Sequence, residues 1–228
     1  GRKVSQVGDD FEDPDWKYNH NGYKSSEEQD GQHRLPSGRS ANGRLVESML
    51  RGHPDVIRRV PTPEGGIEGS HGALMLRSKL SGVPGQISHT MQQDDLLINV
   101  EGPLKGHVPV RWSPNFVVRV FLPPFEKWEN RTGISFGVRA GVQGSKYDSQ
   151  RSSGLFGFTS GGVERDTYWP GFFIFFNSST DRNVKEDSAY LLLRAGPTGH
   201  DFRGPDIKQL GWWTFGISIT PDGQVHYY

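Results

Sequence analysis

From Gly72 onward apolar residues recur at every second position, the mark of strands that put one face into a core. Ala73-Leu74-Met75-Leu76-Arg77 is bounded by Gly and Ser, and Leu96-Leu97-Ile98-Asn99-Val100 is closed by Gly102-Pro103, which is how strands are punctuated. In Phe116 to Leu122, the residues Phe116, Val118, Val120 and Leu122 fall on one side and Val117, Arg119 and Phe121 on the other. Ile134, Phe136 and Val138 share a face against Ser135, Gly137 and Arg139. Phe172 to Asn177, Ala189 to Arg194, Trp213 to Ile219 and Val225 to Tyr228 complete the predicted strands. Thr220-Pro221-Asp222-Gly223 separates the last two, and Asp-Gly supplies the positive φ that a tight hairpin needs.

Residues 1 to about 70 are polar, irregular and rich in Gly and Pro, with a charge-dense stretch from Lys24 to Asp30. They are predicted to wrap a sandwich formed by the rest. Arg44 to Arg51 is amphipathic over two helical turns, a short helix at most. His53, His71, His89 and His107 fall at equal spacing, but their neighbours share no pattern, and a true repeat repeats its apolar positions too.

Composition supports this reading. Of 228 residues 30 are Gly and 15 Pro, which helix interiors tolerate poorly. Hydrophobic residues make up only 33%, yet 13 Phe, 7 Tyr and 6 Trp can each bury roughly 150–250 Å². One domain over 1–228 is expected: an all-β antiparallel jelly-roll β-sandwich. A formal net charge of zero gives no global pull toward nucleic acid. The longest apolar run, around Phe172 to Phe176, is far short of the roughly 20 residues of a membrane-spanning helix. Without Cys there is no disulfide framework and no thiolate chemistry. Residue 1 is Gly with no apolar signal segment after it, as in a mature chain whose leader has been removed. The expected location is secreted, cell-surface or periplasmic. The strand predicted at Tyr228 ends the chain abruptly, so the natural protein is expected to continue. Asn130-Arg131-Thr132 and Asn177-Ser178-Ser179 match the glycosylation acceptor triplet, a pattern short enough to arise by chance.

Two stretches carry a family resemblance. Asp9-Asp10-Phe11-Glu12-Asp13-Pro14-Asp15-Trp16 resembles the opening strand of secreted jelly-roll carbohydrate-binding domains, and Gly211-Trp212-Trp213 through Pro221-Asp222-Gly223 resembles the late hairpin of the concanavalin A-like lectin and glucanase superfamily. Ser135-Phe136-Gly137-Val138-Arg139 fits the same architecture. The resemblance covers about residues 70 to 228 and implies a concanavalin A-like fold. That superfamily holds lectins, hydrolases, lyases and inert modules, so function must be argued from a site.

The superfamily's glucanases carry Glu-x-Asp-x-x-Glu on a strand, and this chain has no such run. Its nearest carboxylate pairs, Glu164 with Asp166 and Glu186 with Asp187, stand beside basic residues in turn-like sequence and read as solvated charges. Gln86-Ile87-Ser88-His89 resembles the Gln-Ile-His element of one alginate lyase family, but the extra Ser turns His89 to the other side from Gln86. No His pair has metal-ligand spacing. Calcium, which takes loop carboxylates, is the candidate cofactor, with Asp9, Asp10, Asp13 and Asp15 as its ligands and Asp94-Asp95 as a second acidic spot. The run from Gly154 to Gly162 is Gly-rich but aromatic and lacks the Lys of a phosphate loop, so it reads as an inter-strand loop.

Counting by twos from the apolar faces leaves Arg119, Ser135, Arg139, Asn177, Tyr190, Arg194, His226 and Tyr228 outside the core, with Tyr168 and Trp169 expected at the rim. If the strands are neighbours in one sheet, these residues form one surface, with Arg forks for carboxylate or sulfate and Tyr rings for sugar faces. The ordinary alternative is a solvent-facing sheet. The expected function is a non-catalytic carbohydrate-binding module whose polysaccharide partner, in the sharper form of the reading, is anionic. The alternatives are a polysaccharide hydrolase or lyase on the same fold, and a structural or interaction domain of a secreted protein.

Overall fold

The computed structural model of the chain describes residues 1–31, 38–148, 162–194 and 200–228. With 39% strand against 7% helix, the fold is all-β, and every strand ladder among the described residues is antiparallel. The chain divides into two compact units, Gly1–Pro109 and Val110–Tyr228, where the sequence reading has a single domain. Each unit has its own core.

The first unit holds β1 (Tyr18–Asn19), β2 (Arg39–Ser40), β3 (Leu45–Glu47), β4 (Val56–Val60), β5 (Ala73–Arg77) and β6 (Leu96–Ile98). β1-β2-β3-β6 form one sheet and β4-β5 a hairpin pair. Trp16, Leu45 and Ile57 are buried, with Phe11, Tyr18, Leu74 and Leu96 packed against them, so the segment before residue 70 contributes to a core as well as to loops. The amphipathic piece Arg44 to Arg51, long enough for two helical turns at most, holds a strand at Leu45–Glu47. Two isolated helical turns are marginal, and Leu45, Val46 and Glu47 instead pair with Ile98, Leu97 and Leu96.

An ion cluster ties distant loops of this unit together. The Lys24 ammonium, on a side chain only 6% exposed, lies 3.1 Å from Asp55 Oδ2 and 2.6 Å from Asp94 Oδ2, and it also donates to the Leu80 carbonyl. Asp55 accepts the Lys79 and Leu80 amides, and Asp94 accepts Gly82 N–H and the Ser78 hydroxyl.

The second unit runs through β7 (Asn115–Leu122), β8 (Ser135–Arg139), β9 (Val142–Asp148), β10 (Gly162–Tyr168), β11 (Gly171–Asn177), β12 (Ser188–Arg194), β13 (Asp201–Asp206), β14 (Gly211–Ile219) and β15 (Val225–Tyr227). Two sheets, in strand orders β15-β14-β7 and β13-β12-β11-β8, face each other across one core. Leu122, Phe215 and Ile217 come from the first, and Phe172, Ile174 and Ala189 from the second. The rings of Phe172 and Phe215 meet across the gap at 4.6 Å. Burying each large side chain contributes about 1.5–3 kcal/mol, so these few residues dominate the unit's stability. The predicted alternation in β7 holds, since Val118, Val120 and Leu122 pack on the core while Arg119 and Phe121 turn to Trp212 on the opposite face.

Tyr227 locks the two sheets together. From β15 its hydroxyl donates to the Arg194 carbonyl at 2.8 Å and accepts the Gly171 N–H at 2.9 Å. Burial, and then the neighbouring Tyr168, push this phenol above the ordinary tyrosine value. The closing hairpin forms as expected, with Ile219 opposite Val225. Only Gly223 of the Asp-Gly pair takes positive φ, at 83°.

β8 and β9 run on against β11 and β10 in one register, Arg139 opposite Gly171 and Val142 opposite Tyr168, joined by the Ala140 N–H to Pro170 carbonyl bond. The β9-β10 part is an extended ribbon. Glu164 and Asp166, read from sequence as turn charges, lie on this ribbon as exposed residues of β10. The strand has no apolar alternation because neither of its faces enters a core.

Candidate functional site

The sandwich separates the residues expected on one surface. Arg119 and His226, with Tyr228, project from the outer face of the three-stranded sheet, since their neighbours Val118, Val120, Val225 and Tyr227 face inward. Ser135, Arg139, Asn177, Tyr190 and Arg194 project from the outer face of the four-stranded sheet. Inner faces of the two sheets share the core, so these outer faces point away from each other. The single surface of the sequence reading is therefore two. A period of two tells inside from outside and does not say to which sheet a strand belongs.

On the four-stranded face three guanidinium groups lie over aromatic rings. Arg139 is 5.1 Å from the Trp169 ring centre, Arg194 5.3 Å from Phe173 and Arg203 3.9 Å from Tyr190. Phe175 sits 5.2 Å from Tyr190 on the same side, and Trp169 is 39% exposed. Gly137 lies so close to Phe173 that an added Cβ would be 2.2 Å from the Phe172 carbonyl oxygen, which keeps this row flat. Arg194 is already paired, with Nε and Nη2 on the two Asp201 oxygens at 2.9 and 3.2 Å. That contact raises the guanidinium's pKa further. Arg203 is bonded to Asp206. Sequence reasoning missed Arg203, because the strand carrying it contains Gly204-Pro205. These two residues form a bulge opposite Leu191, a place where Pro is tolerated.

The remaining candidates have local partners. Tyr168 donates to the Arg194 carbonyl at 3.0 Å, Asn177 reaches the Ser188 hydroxyl at 3.5 Å and exposed His226 lies 3.4 Å from Thr220 Oγ1 in its own hairpin. Arg119 stacks on Trp212 at 5.3 Å, and its Nε is buried without a hydrogen-bond partner among the described residues. Asp187 accepts the Ser179 amide at 2.7 Å, which holds its carboxyl below the ordinary range. Gln86 and His89 stand on exposed loop. The Gly-rich run from Gly154 lies, except for Gly162, outside the described residues.

The stretch from Asp9 to Trp16, expected as a strand, is a series of turns. Asp9 Oδ1 accepts the Phe11 amide, Asp10 the Glu12 amide and Asp13 the Asp15 amide, which is the usual use of Asp in turns. Asp9 Oδ2 also takes Trp16 Nε1 at 3.0 Å and Asn42 Nδ2 at 2.7 Å. The four aspartates are not gathered around a common point as calcium ligands. Among the described residues no three His, Cys, Asp or Glu side chains converge as they stand on a metal position.

The structure does bring together four chemistry-bearing residues that no sequence pattern joined. Tyr18 on β1, Glu47 on β3, His20 and His53 meet at one end of the first unit's larger sheet. The His20 and His53 rings are 4.8 Å apart and those of Tyr18 and His20 5.0 Å. His53 is 7% exposed; its Nδ1 lies 3.0 Å from the Pro54 carbonyl, and its Nε2 is 3.9 Å from Glu47 Oε1. Both His53 Nε2 and Tyr18 Oη are buried with no hydrogen-bond partner among the described residues. Burial first, and then the Glu47 charge, push the Tyr18 phenol above the ordinary value. Burial and the neighbouring His53 lower His20.

Comparison with known protein families, curated proteins and solved structures finds no match. The functional reading rests on this geometry.

Proposed function

We propose that the second unit is a non-catalytic carbohydrate-binding module of the jelly-roll, concanavalin A-like type, and that it takes a polysaccharide on the outer face of its four-stranded sheet. The observation that carries the reading is the row of three Arg-aromatic stacks, Arg139 on Trp169, Arg194 on Phe173 and Arg203 on Tyr190. Aromatic faces stack on the apolar faces of sugar rings, and guanidinium edges with carboxylates offer donors and acceptors to sugar hydroxyls. Asp201 and Asp206 already occupy Arg194 and Arg203. The face therefore suits a neutral polysaccharide better than the anionic one of the sharper sequence expectation. Pull-down on insoluble neutral and acidic polysaccharides tests it: retention on a neutral polymer that persists in high salt supports the reading, and retention on none removes it.

A second reading, an interaction domain of a secreted protein, is favoured by the β9-β10 ribbon. There Tyr147 and Val163, 67% and 61% exposed, stand directly opposite each other. Binding that survives loss of the aromatic face and disappears with Tyr147→Ser favours this second reading.

A further inference from the structure

We propose that Lys24 and Asp94 of the first unit become joined by an intramolecular isopeptide bond, with Asp55 as the proton carrier. The Lys24 and Asp94 side chains are 6% and 3% exposed, and the Lys24 ammonium lies 2.6 Å from Asp94 Oδ2 and 3.1 Å from Asp55 Oδ2. An ammonium and a carboxylate together contain every atom of an amide and one water, so the step needs no co-reactant. Since Oδ2 is bonded to Cγ, the 2.6 Å contact puts the nitrogen no more than about 3.8 Å from the carbon it attacks, close to the roughly 3–3.5 Å of a near-attack geometry. Gly52 makes this approach possible. A Cβ there would stand 2.6 Å from Asp94 Oδ1 and 3.0 Å from Lys24 Cε. The Asp95 amide, bonded to the Gly52 carbonyl at 2.7 Å, holds the segment carrying Asp94 against it.

The two oxygens of Asp94 are held differently. Oδ1 accepts the Gly82 N–H at 3.0 Å, whereas Oδ2 accepts the Ser78 hydroxyl and the ammonium. A proton first passes from the ammonium to Oδ2, a transfer that costs less in a dry pocket than in water because two charges disappear. The freed Nζ lone pair attacks Cγ, the Nζ–Cγ bond forms, and negative charge gathers on Oδ1. The Gly82 N–H is placed to stabilise that charge as an oxyanion-hole donor does. Asp55 takes a second proton from the nitrogen and delivers it to Oδ2; the Cγ–Oδ2 bond breaks and water leaves. Asp55 ends as the carboxylate it began as, and nothing is oxidised or reduced. The bond forms only after folding has gathered the three residues, so the newly folded chain carries the ion pair. Its benefit follows from a first-unit core built on Trp16, Leu45 and Ile57 in a chain without Cys. A link between residues 70 apart constrains the unfolded chain as a disulfide closing a long loop does. The proposal is independent of the carbohydrate reading, which concerns the other unit.

Intact-mass spectrometry of the full chain, denatured after days of incubation in the folded state, tests it. The mass should fall by one water, and a digest should yield a branched peptide joining Lys24 to Asp94. Asp222-Gly223 also loses water when it closes to a succinimide, so the branched peptide and its resistance to hydroxylamine identify the isopeptide. Lys24→Arg keeps the positive charge without a nucleophilic amine and should retain the full mass. Asp55→Asn, whose side-chain oxygen still accepts the Lys79 amide, should slow bond formation about a hundredfold. Should Lys24→Arg fail to fold, the rate in Asp55→Asn carries the same test. A wild type that keeps its full mass throughout, water loss without the branched peptide, or linking at the wild-type rate in Asp55→Asn would overturn the proposal.

Discussion

Replacing Lys24 by Met should loosen the first unit as a whole, because it removes the ammonium that neutralises two carboxylates, one of them nearly dry. Asp94 is 3% exposed and Asp55 23%, and both face the Lys24 ammonium, itself 6% exposed, at 2.6 and 3.1 Å. Removing one partner from a buried ion pair costs about 3–5 kcal/mol, because the other charge stays buried. Two features reduce that figure here. Asp55 keeps the Lys79 amide at 2.6 Å and Asp94 keeps Gly82 N–H at 3.0 Å, and the partial exposure of Asp55 lets water screen it. An expected loss of about 3 kcal/mol remains, roughly two orders of magnitude in the opening equilibrium at 1.4 kcal/mol per tenfold. Native-state hydrogen exchange at the amides of the β3-β6 ladder reads this directly. The triple variant Lys24→Met, Asp55→Asn, Asp94→Asn should recover much of the loss, since neutral amide side chains tolerate burial where carboxylates do not. Protection in Lys24→Met within about tenfold of wild type, or a triple variant no better than the single one, would refute the reasoning.

Tyr227→Phe removes the hydroxyl that joins the Gly171 amide to the Arg194 carbonyl, leaving a buried donor without its partner, so unfolding in urea should ease by about 1–3 kcal/mol; no change in midpoint would deny the cross-sheet lock. Acidification should destabilise the first unit in two stages. His20 is lowered by burial and by His53, so the unfolded chain takes the proton first and stability falls as pH drops through about 6.5. For Asp55, burial opposes ionisation, but the Lys79 amide and Lys24 outweigh it and lower the group. Its contribution is present above about pH 4 and lost as the pH falls below that. Hydrogen exchange corrected for intrinsic rates at pH 7.5, 5.5 and 3.5 checks the order, and a unit most stable at pH 5.5 contradicts it.

Strands with a buried face were legible because burial writes alternation into the sequence. β5, β7, β11, β12 and β14 fall where Ala73, Phe116, Phe172, Ala189 and Trp213 announce them. β9 and β10 escaped, since Glu164, Arg165 and Asp166 are exposed on both faces and carry no period. β13 was hidden by its Gly204-Pro205 bulge, β1 to β3 are too short for a pattern, and Val56-Ile57-Arg58-Arg59-Val60 of β4 does not alternate. The candidate binding face was half legible. Arg139, Tyr190 and Arg194 do share a face, while Arg119 and His226 belong to the opposite sheet. Inward and outward positions follow from local spacing, but sheet membership is fixed by ladders such as Thr214 opposite Arg119, between segments nearly a hundred residues apart. The cluster of Tyr18, His20, Glu47 and His53 was illegible for the same reason, as no spacing ties His20 to His53.

We propose that the aromatic face of the four-stranded sheet binds polysaccharide by stacking. Calorimetric titration with whichever neutral polysaccharide retains the chain, comparing wild type with Trp169→Ala, Tyr190→Ala and Trp212→Ala, tests it most directly. Trp169 and Tyr190 lie on the proposed face and Trp212 on the other sheet. Loss of about tenfold or more in affinity for the first two, with Trp212→Ala unchanged and little effect of added salt, is the result predicted here. Affinity unchanged in Trp169→Ala and Tyr190→Ala would contradict the account.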